Sequence, residues 1–214
     1  MYDDLGATYS ALGNPAEAAE AFAKAVSCNP RATYLHAELA SEYLHLGRFE
    51  DAKAEARRGP QPEGAAFTVN SLLAQAEFSQ QQWTQAIQHL RLAAVEAPDE
   101  VQATYWQCLL WLAQKRAGTA TPALASRAPT TLWPRPVLDF LQGTIDETAL
   151  VHAVAAERDE RRRREILCEA LFYTGESYLA GHRGTEARRY FQATVNLQVY
   201  DFIEHYLAKA ELAR

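Results

Sequence analysis

The chain has 214 residues, 48% of them hydrophobic and 22% charged, with a formal net charge of −6. The acidic balance argues against nucleic acid as the main partner, because phosphate binding needs a basic surface. No apolar run approaches the roughly 18 residues needed to span a bilayer, and Cys28, Cys108 and Cys168 form neither a CxxC motif nor a disulfide framework. The three are predicted to be free thiols packed as small hydrophobes.

From the N-terminus, Tyr2, Leu5, Gly6, Tyr9, Gly13, Ala18, Phe22, Ala25 and Pro30 set a register. It returns 34 residues later at Leu39, Ala40, Tyr43, Gly47, Ala52, Ala56 and Gly59, and again at Leu73, Ala74, Ala86, Leu90, Ala93 and Pro98. Leu5, Gly6 and Tyr9 share one helix face, because residues three and four apart are helix neighbours. A Gly or Ala at the second of these places lets a partner helix approach closely. In the following helix Ala18 is the small contact and Phe22 fills the gap to the next repeat. Asn14-Pro15-Ala16-Glu17 reads as an N-cap, a first-turn proline and an acidic third residue. Gly47 ends a first helix and Phe49 resumes the pattern. Gly59 to Gly64 is predicted as an inter-repeat loop, and Ala97-Pro98-Asp99 closes the third unit.

Beyond Pro98 the pattern blurs. Glu100–Arg116 reads as a long amphipathic helix carrying Tyr105, Trp106, Leu109, Leu110 and Leu112, and a short second helix is predicted near Pro122–Ser126. Trp133-Pro134-Arg135-Pro136 must be extended or a tight corner, since each Pro biases the residue before it away from helix. A helix over Val137–Leu141 ends at Gly143, and Thr144-Ile145-Asp146-Glu147 reads as a capping box ahead of a helix over Ala149–Ala156. The signature returns at Ala170, Gly175, Tyr178, Gly181, Ala187 and Phe191, with Gly175 lying 169 residues after Gly6, one short of five periods of 34. Asp201–Ala213 is predicted as a last helix that solvates the end of the array.

A period of 34 with this small/aromatic pattern resembles the tetratricopeptide repeat, two antiparallel helices per unit. The resemblance implies an all-α fold, a right-handed superhelical solenoid of about six helix pairs plus a C-terminal helix. Residues 1–98 hold three regular units, 99–166 two degenerate ones, and 167–214 a final unit with the terminal helix, in one continuous array. Trp133-Pro134-x-Pro136, Gly143-x-Ile145, Cys168-Glu169-Ala170-x-Phe172-Tyr173-x-Gly175, Ala187-x3-Phe191, Phe202-x-Glu204 and Ala208-x2-Glu211-Leu212 are narrower. They resemble the C-terminal part of bacterial tetratricopeptide lipoproteins of the NlpI type. That implies an envelope adaptor, often dimeric, that brings cell-wall hydrolases and a protease together. The chain departs from that group in showing no signal sequence and no lipid-accepting N-terminal Cys. Met1 already falls inside a first helix of the register, so a fragment, a processed form or an experimentally placed start is expected. The compartment reads as cytoplasmic for the chain as it stands, and periplasmic if a signal or lipobox has been removed.

The family resemblance also implies where a partner binds, on a concave groove lined by first-helix positions. In this register they include Asp3, Ala7 and Ser10, then Tyr34, Ala37, Ser41 and His45. The next two units add Thr68, Ser71, Gln75 and Phe78, then Gln102, Tyr105, Leu109 and Leu112. The expected partner-binding residues are Tyr34, His45, Ser71, Gln75, Phe78, Tyr105 and Leu109. Members that bind chaperones hold a peptide carboxylate with Lys and Asn, whereas the corresponding places here hold Asp3, Ala7, Ala37 and Ser41. The groove therefore suits a helix or extended peptide with apolar anchors.

Nothing in the sequence announces catalysis. The six histidines form no HExxH and pair with no Cys. Glu204 and His205 are neighbours on a helix and so point about 100° apart, which argues against a dyad and for structural or exposed roles. Arg158 to Glu165 is the one dense charge run, read as a solvated helix start or, failing that, a docking site for an acidic peptide. The prediction is a non-enzymatic scaffold without cofactor or metal that binds another protein or peptide, no nucleic acid and no membrane interior. The alternative is a homodimerising assembly protein. A buried, convergent polar cluster would favour an enzyme, and a two-fold contact above roughly 1,000 Å² the dimer.

Overall fold

The computed structural model describes residues 1–59, 66–119 and 132–214. Among the described residues there are twelve α-helices and no strand. The chain divides into two compact units, Met1–Ala93 and Ala94–Arg214.

The first unit contains α1 (Tyr2–Ala11), α2 (Pro15–Cys28), α3 (Tyr34–His45), α4 (Phe49–Arg58), α5 (Ala66–Ser79) and most of α6 (Trp83–Glu96). Neighbours in sequence are neighbours in space: α1 packs on α2, α2 on α3, α3 on α4, and α5 on both α3 and α4. Ala18, Phe22, Ala25, Leu35 and Leu39 form one buried cluster. Its tightest point is Gly6, where an added Cβ would lie 2.8 Å from the Phe22 ring. Glycine is required there by volume, since the ring occupies the space a methyl group would need. The same register positions hold Ala40 with Ala56 and Ala74 with Leu90, all buried. Gly is thus matched to Phe, and Ala to smaller apolar residues.

Each helix pair turns in the same way. Gly13, Gly47 and Gln81 adopt φ of +72°, +71° and +57°. The next amide then folds back: Asn14 N–H donates to the Tyr9 carbonyl at 2.9 Å, Arg48 to Tyr43 at 2.8 Å, and Gln82 to Glu77 at 2.9 Å. A left-handed residue after the helix lets these otherwise unpaired carbonyls find a donor.

The second unit contains α7 (Glu100–Arg116), α8 (Arg135–Leu141), α9 (Glu147–Ala155), α10 (Glu160–Ala180), α11 (Gly184–Asn196) and α12 (Ile203–Leu212). Helix α10 is its hub and packs against α7, α8, α9, α11 and α12. The Gly–Phe device recurs, with a Cβ at Gly175 only 2.8 Å from Phe191. The turn recurs as well, at Gly118 (φ +67°), Gly143 (+75°) and His182 (+60°). Thr119, Thr144 and Arg183 donate to Gln114, Asp139 and Tyr178 at 3.0, 2.8 and 2.9 Å.

Several boundaries differ from the sequence reading. The short helix expected near Pro122–Ser126, and residues 60–64 of the expected loop, lie outside the described residues. Helix α8 starts at Arg135 rather than Val137, with Pro136 in the first turn, where no amide donor is needed. Helix α9 starts at Glu147, and its cap is Asp146, whose Oδ1 accepts the Ala149 N–H at 2.8 Å; Thr144 belongs to the preceding turn. Helix α12 is no solvating cap: Glu204, His205, Tyr206, Leu207 and Ala208 are all buried, because α10 and α11 both pack on it.

Candidate functional site

In the first unit, side chains join the α1 and α3 surfaces directly. The Tyr34 hydroxyl donates to Asp3 Oδ2 at 2.7 Å, and the Ser10 hydroxyl to Glu42 Oε1 at 2.6 Å. His45 Nδ1 sits 3.3 Å from Glu42 Oε2. Asp3, Ser10, Tyr34 and His45, all expected groove positions, therefore lie along one α1–α3 seam. The Tyr34 ring is 50% exposed while its hydroxyl is held. Glu38 lies near the same carboxylates, and partial burial followed by repulsion from Glu42 and Asp3 pushes its carboxyl up. The seam is thus more acidic than the small, polar and aromatic groove expected.

The α5 candidates need correction. Ser71, Gln75 and Phe78 are 7%, 6% and 1% exposed, too little to serve as contact side chains. The Ser71 hydroxyl donates to the Thr68 carbonyl, and the Gln75 amide to the Ser71 carbonyl, so both are satisfied by their own helix. Phe78 meets Trp83 edge to face, with ring centroids 5.4 Å apart. The cause is legible in retrospect: Leu72, Leu73, Ala74, Ala76 and Phe78 surround the helix rather than striping it, and such a helix is buried on all sides.

In the second unit Leu109 is fully buried, since α7 packs on both α8 and α10. Tyr105 has a different fate. It lines a cavity of about 260 Å³ with Gln102, Trp106, Glu169, Asp201, Phe202, Ile203 and Glu204. Glu169 is wholly buried and accepts from Trp133 Nε1 at 2.5 Å and from the Tyr105 hydroxyl at 3.2 Å. Glu204, 2% exposed, accepts from the Tyr173 hydroxyl at 3.2 Å. Burial pushes both carboxyls up, Glu169 to about 8 with repulsion from Glu204 adding to it, and Glu204 to about 7. Glu204 and His205 are both buried, and it is Glu169, 35 residues earlier in the chain, that shares the cavity with Glu204. The sequence reading rejected a Glu204–His205 dyad but did not bring Glu169 to Glu204.

A second buried carboxylate cluster lies along the same hub helix. Arg116 donates to Glu176 at 2.8 Å and approaches Glu211 at 3.5 Å. Burial and then repulsion from Glu211 push Glu176 up to about 7, against the pull of Arg116. Cys108 and Cys168 are buried and their thiols are pushed up by desolvation, which works against a nucleophilic thiolate. Cys28, expected to pack as a small hydrophobe, is exposed. The arginine run begins α10: Asp159 caps it by accepting from the Arg162 amide at 2.7 Å, Arg161 pairs with Glu165 at 3.1 Å, and Arg164 donates to the Leu197 carbonyl at 2.9 Å.

Among the described residues no group of three His, Cys, Asp or Glu side chains is placed to hold a metal ion, and no helix is long and apolar enough to cross a membrane. Recurrent helix pairs, a shared left-handed turn and a Gly–Phe plug at matching positions define an all-α helical-repeat protein. The tetratricopeptide repeat profile matches residues 4–65 and 71–135, and the chain belongs to that family. Proteins with these repeats generally mediate protein–protein interaction.

Proposed function

We propose that this protein is a non-enzymatic scaffold that binds a peptide or helix of another protein along the α1–α3 seam of the first unit, centred on Tyr34 and His45. The observation that carries this reading is the Tyr34 ring, half exposed with its hydroxyl fixed on Asp3. A large ring already ordered in the free protein loses little freedom when a partner covers it, and tyrosine is a frequent energetic anchor. Asp3 and Glu38 lie near the ring, so the segment that fits carries an apolar anchor and basic residues. Its binding weakens with added salt. The likeness of the C-terminal part to envelope lipoproteins of the NlpI type supports a bacterial cell-envelope adaptor as the setting.

The test is a photo-crosslinking residue at position 34, compared with one at the exposed Lys24 on α2. Capture of a defined protein from an envelope fraction at 34 and not at 24 is the expected result. Tyr34→Ala then weakens that complex about tenfold, roughly 1.4 kcal/mol. Equal capture at both positions, or an unchanged affinity for Tyr34→Ala, overturns the reading. Crosslinks made only to a second copy of the chain would replace it with self-assembly.

A further inference from the structure

A second cavity, of about 360 Å³, lies between α10 and α11, lined by Leu171 and Tyr178 of α10 and by Glu186, Arg189, Tyr190 and Ala193 of α11. The groove between α3 and α4 shows what sets it apart. Gly175 and Phe191 hold the register places of Ala40 and Ala56. In that register Tyr178 and Arg183 match Tyr43 and Arg48, and the ion pair Arg183–Glu186 matches Arg48–Asp51. The rest of the groove differs. In α3–α4, His36 Nδ1 lies 2.6 Å from Glu55 Oε2, and Arg58 donates to Glu55 Oε1 at 2.6 Å, so the groove closes on its own polar groups. The matching places in α10–α11 hold Leu171, Tyr190 and Ala193. Apolar surface replaces the polar pair, a methyl group replaces an arginine, and the space stays open. Ala54 is matched by Arg189.

The aromatic wall of this cavity is set in advance. Tyr178 stacks on Tyr190 with centroids 5.2 Å apart and planes inclined by 13°. The Tyr178 hydroxyl donates to Glu147 Oε2 at 2.7 Å, and the Tyr190 hydroxyl to Glu147 Oε1. Glu186 is already occupied, since Arg183 Nε and Nη2 both donate to its Oε1 at 3.0 Å. Arg189 is the cation left over. Glu186 feels its charge, but among the described residues no group forms a hydrogen bond or ion pair with it.

We infer that this cavity takes an aromatic side chain of a partner protein, with a neighbouring carboxylate of the same peptide held by Arg189. The volume is at the small end of the roughly 300–1,000 Å³ of ligand sites, which suits one large side chain. Ring surface favours an aromatic guest, and a wall fixed before binding loses little freedom when covered. An unpaired guanidinium selects a carboxylate, which it can hold through two parallel bonds. Tyrosine and arginine are also the residue types that most often anchor protein interfaces, which favours a protein's side chain over a free molecule.

NMR titration of the whole protein with acetyl-Gly-Phe-Asp-Gly-amide, read on the Tyr178 and Tyr190 ring signals, tests the site. The peptide is expected to bind at least tenfold more tightly than its counterpart with alanine for phenylalanine. It is expected to bind several-fold more tightly than its counterpart with asparagine for aspartate. Ala193→Arg places the first unit's residue type in the cavity and is expected to abolish binding. Arg189→Ala, at an exposed position, is expected to erase the preference for aspartate over asparagine. Should Ala193→Arg unfold, the Arg189→Ala comparison decides. Failure of the peptide to bind at millimolar concentration, equal binding of the alanine counterpart, wild-type affinity in a folded Ala193→Arg protein, or a preference for aspartate that persists in Arg189→Ala overturns the inference. Tighter binding of free acetyl-phenylalanine than of the peptide also overturns it, in favour of a small-molecule site. None of these measurements involves Tyr34, so the seam can fail while the cavity stands, and the reverse.

Discussion

The two units carry the same packing device in different surroundings. In the first, Gly6 accommodates Phe22; in the second, Gly175 accommodates Phe191, again with a hypothetical Cβ at 2.8 Å. Tyr43 stacks under the Arg48 guanidinium at 4.1 Å, and Tyr178 under Arg183 at 4.3 Å, at equivalent places beside the turn. What differs is the polar content of the interior. In the first unit His36 pairs with Glu55 at 2.6 Å and His89 with Glu77 at 2.7 Å, each carboxylate having a basic partner. The second unit buries Glu169 and Glu204 around a cavity, and Glu176 beside Arg116. Volume matching at a few positions maintains the repeat; the positions it leaves free have taken on different chemistry. Local departures from a regular pattern are where function is expected to lie.

The comparison breaks most visibly if the two plugs are not equivalent. Phe22 and Phe191 are 2% and 3% exposed, and removal of a buried Phe side chain costs about 3–5 kcal/mol. Phe22→Ala and Phe191→Ala should each show a loss of that size in urea unfolding, with hydrogen exchange locating the first in α1–α3 and the second in α10–α11. A loss under about 1 kcal/mol for either would mean that its ring is not a plug.

Gly6→Ala and Gly175→Ala sharpen the same point from the other side. Each new methyl group meets a ring carbon at 2.8 Å, so the ring must shift, at a cost of about 1–3 kcal/mol. The effect should shrink in the double variants Gly6→Ala/Phe22→Leu and Gly175→Ala/Phe191→Leu, which return volume to the site. Additive losses would contradict the packing account.

The smallest expected effect lies at the turns. Gln81 and His182 occupy the left-handed place that Gly13, Gly47, Gly118 and Gly143 fill elsewhere. A side chain there is disfavoured by roughly 1–2 kcal/mol, part of which glycine gives back as unfolded-state entropy. Gln81→Gly and His182→Gly should therefore raise the unfolding free energy by about 0.5 kcal/mol each. Destabilisation at either position would show that its side chain makes a contact worth more than the strain.

Much of the frame was legible in the sequence, because the period reports volume. Gly6, Ala40 and Ala74 announce close approach, and Gly13 and Gly47 announce the turn; Gln81 and His182 share that turn only by register, since neither residue type prefers it. Exposure was harder to read. Ser71, Gln75 and Phe78 occupy groove positions by count, yet α5 carries apolar residues on every side, and that composition outweighs the count. Thr144 matched a capping box, but Asp146 stands nearer the first free amide and takes the cap. The cavity was out of reach, because Tyr105, Glu169 and Glu204 come from three helices whose packing the repeat does not specify.

The contrast between the units is tested most directly by carbon-13 titration of the glutamate side-chain carboxyls. Glu169, Glu176 and Glu204 should keep protons far above the usual carboxylate range, with midpoints near 8, 7 and 7. Glu20 on α2, held down by its bond to Lys24, should titrate below that range. The consequence for stability has a definite sign. A carboxyl whose pKa is raised on folding binds more protons folded than unfolded, so its stabilising contribution is full below about pH 4.5 and is lost as pH rises through 7 and 8. Hydrogen-exchange protection of α10 and α12, corrected for intrinsic rates, should fall across that interval while that of α2 and α3 does not follow it. Midpoints near 4.5 for all three buried glutamates would contradict the account.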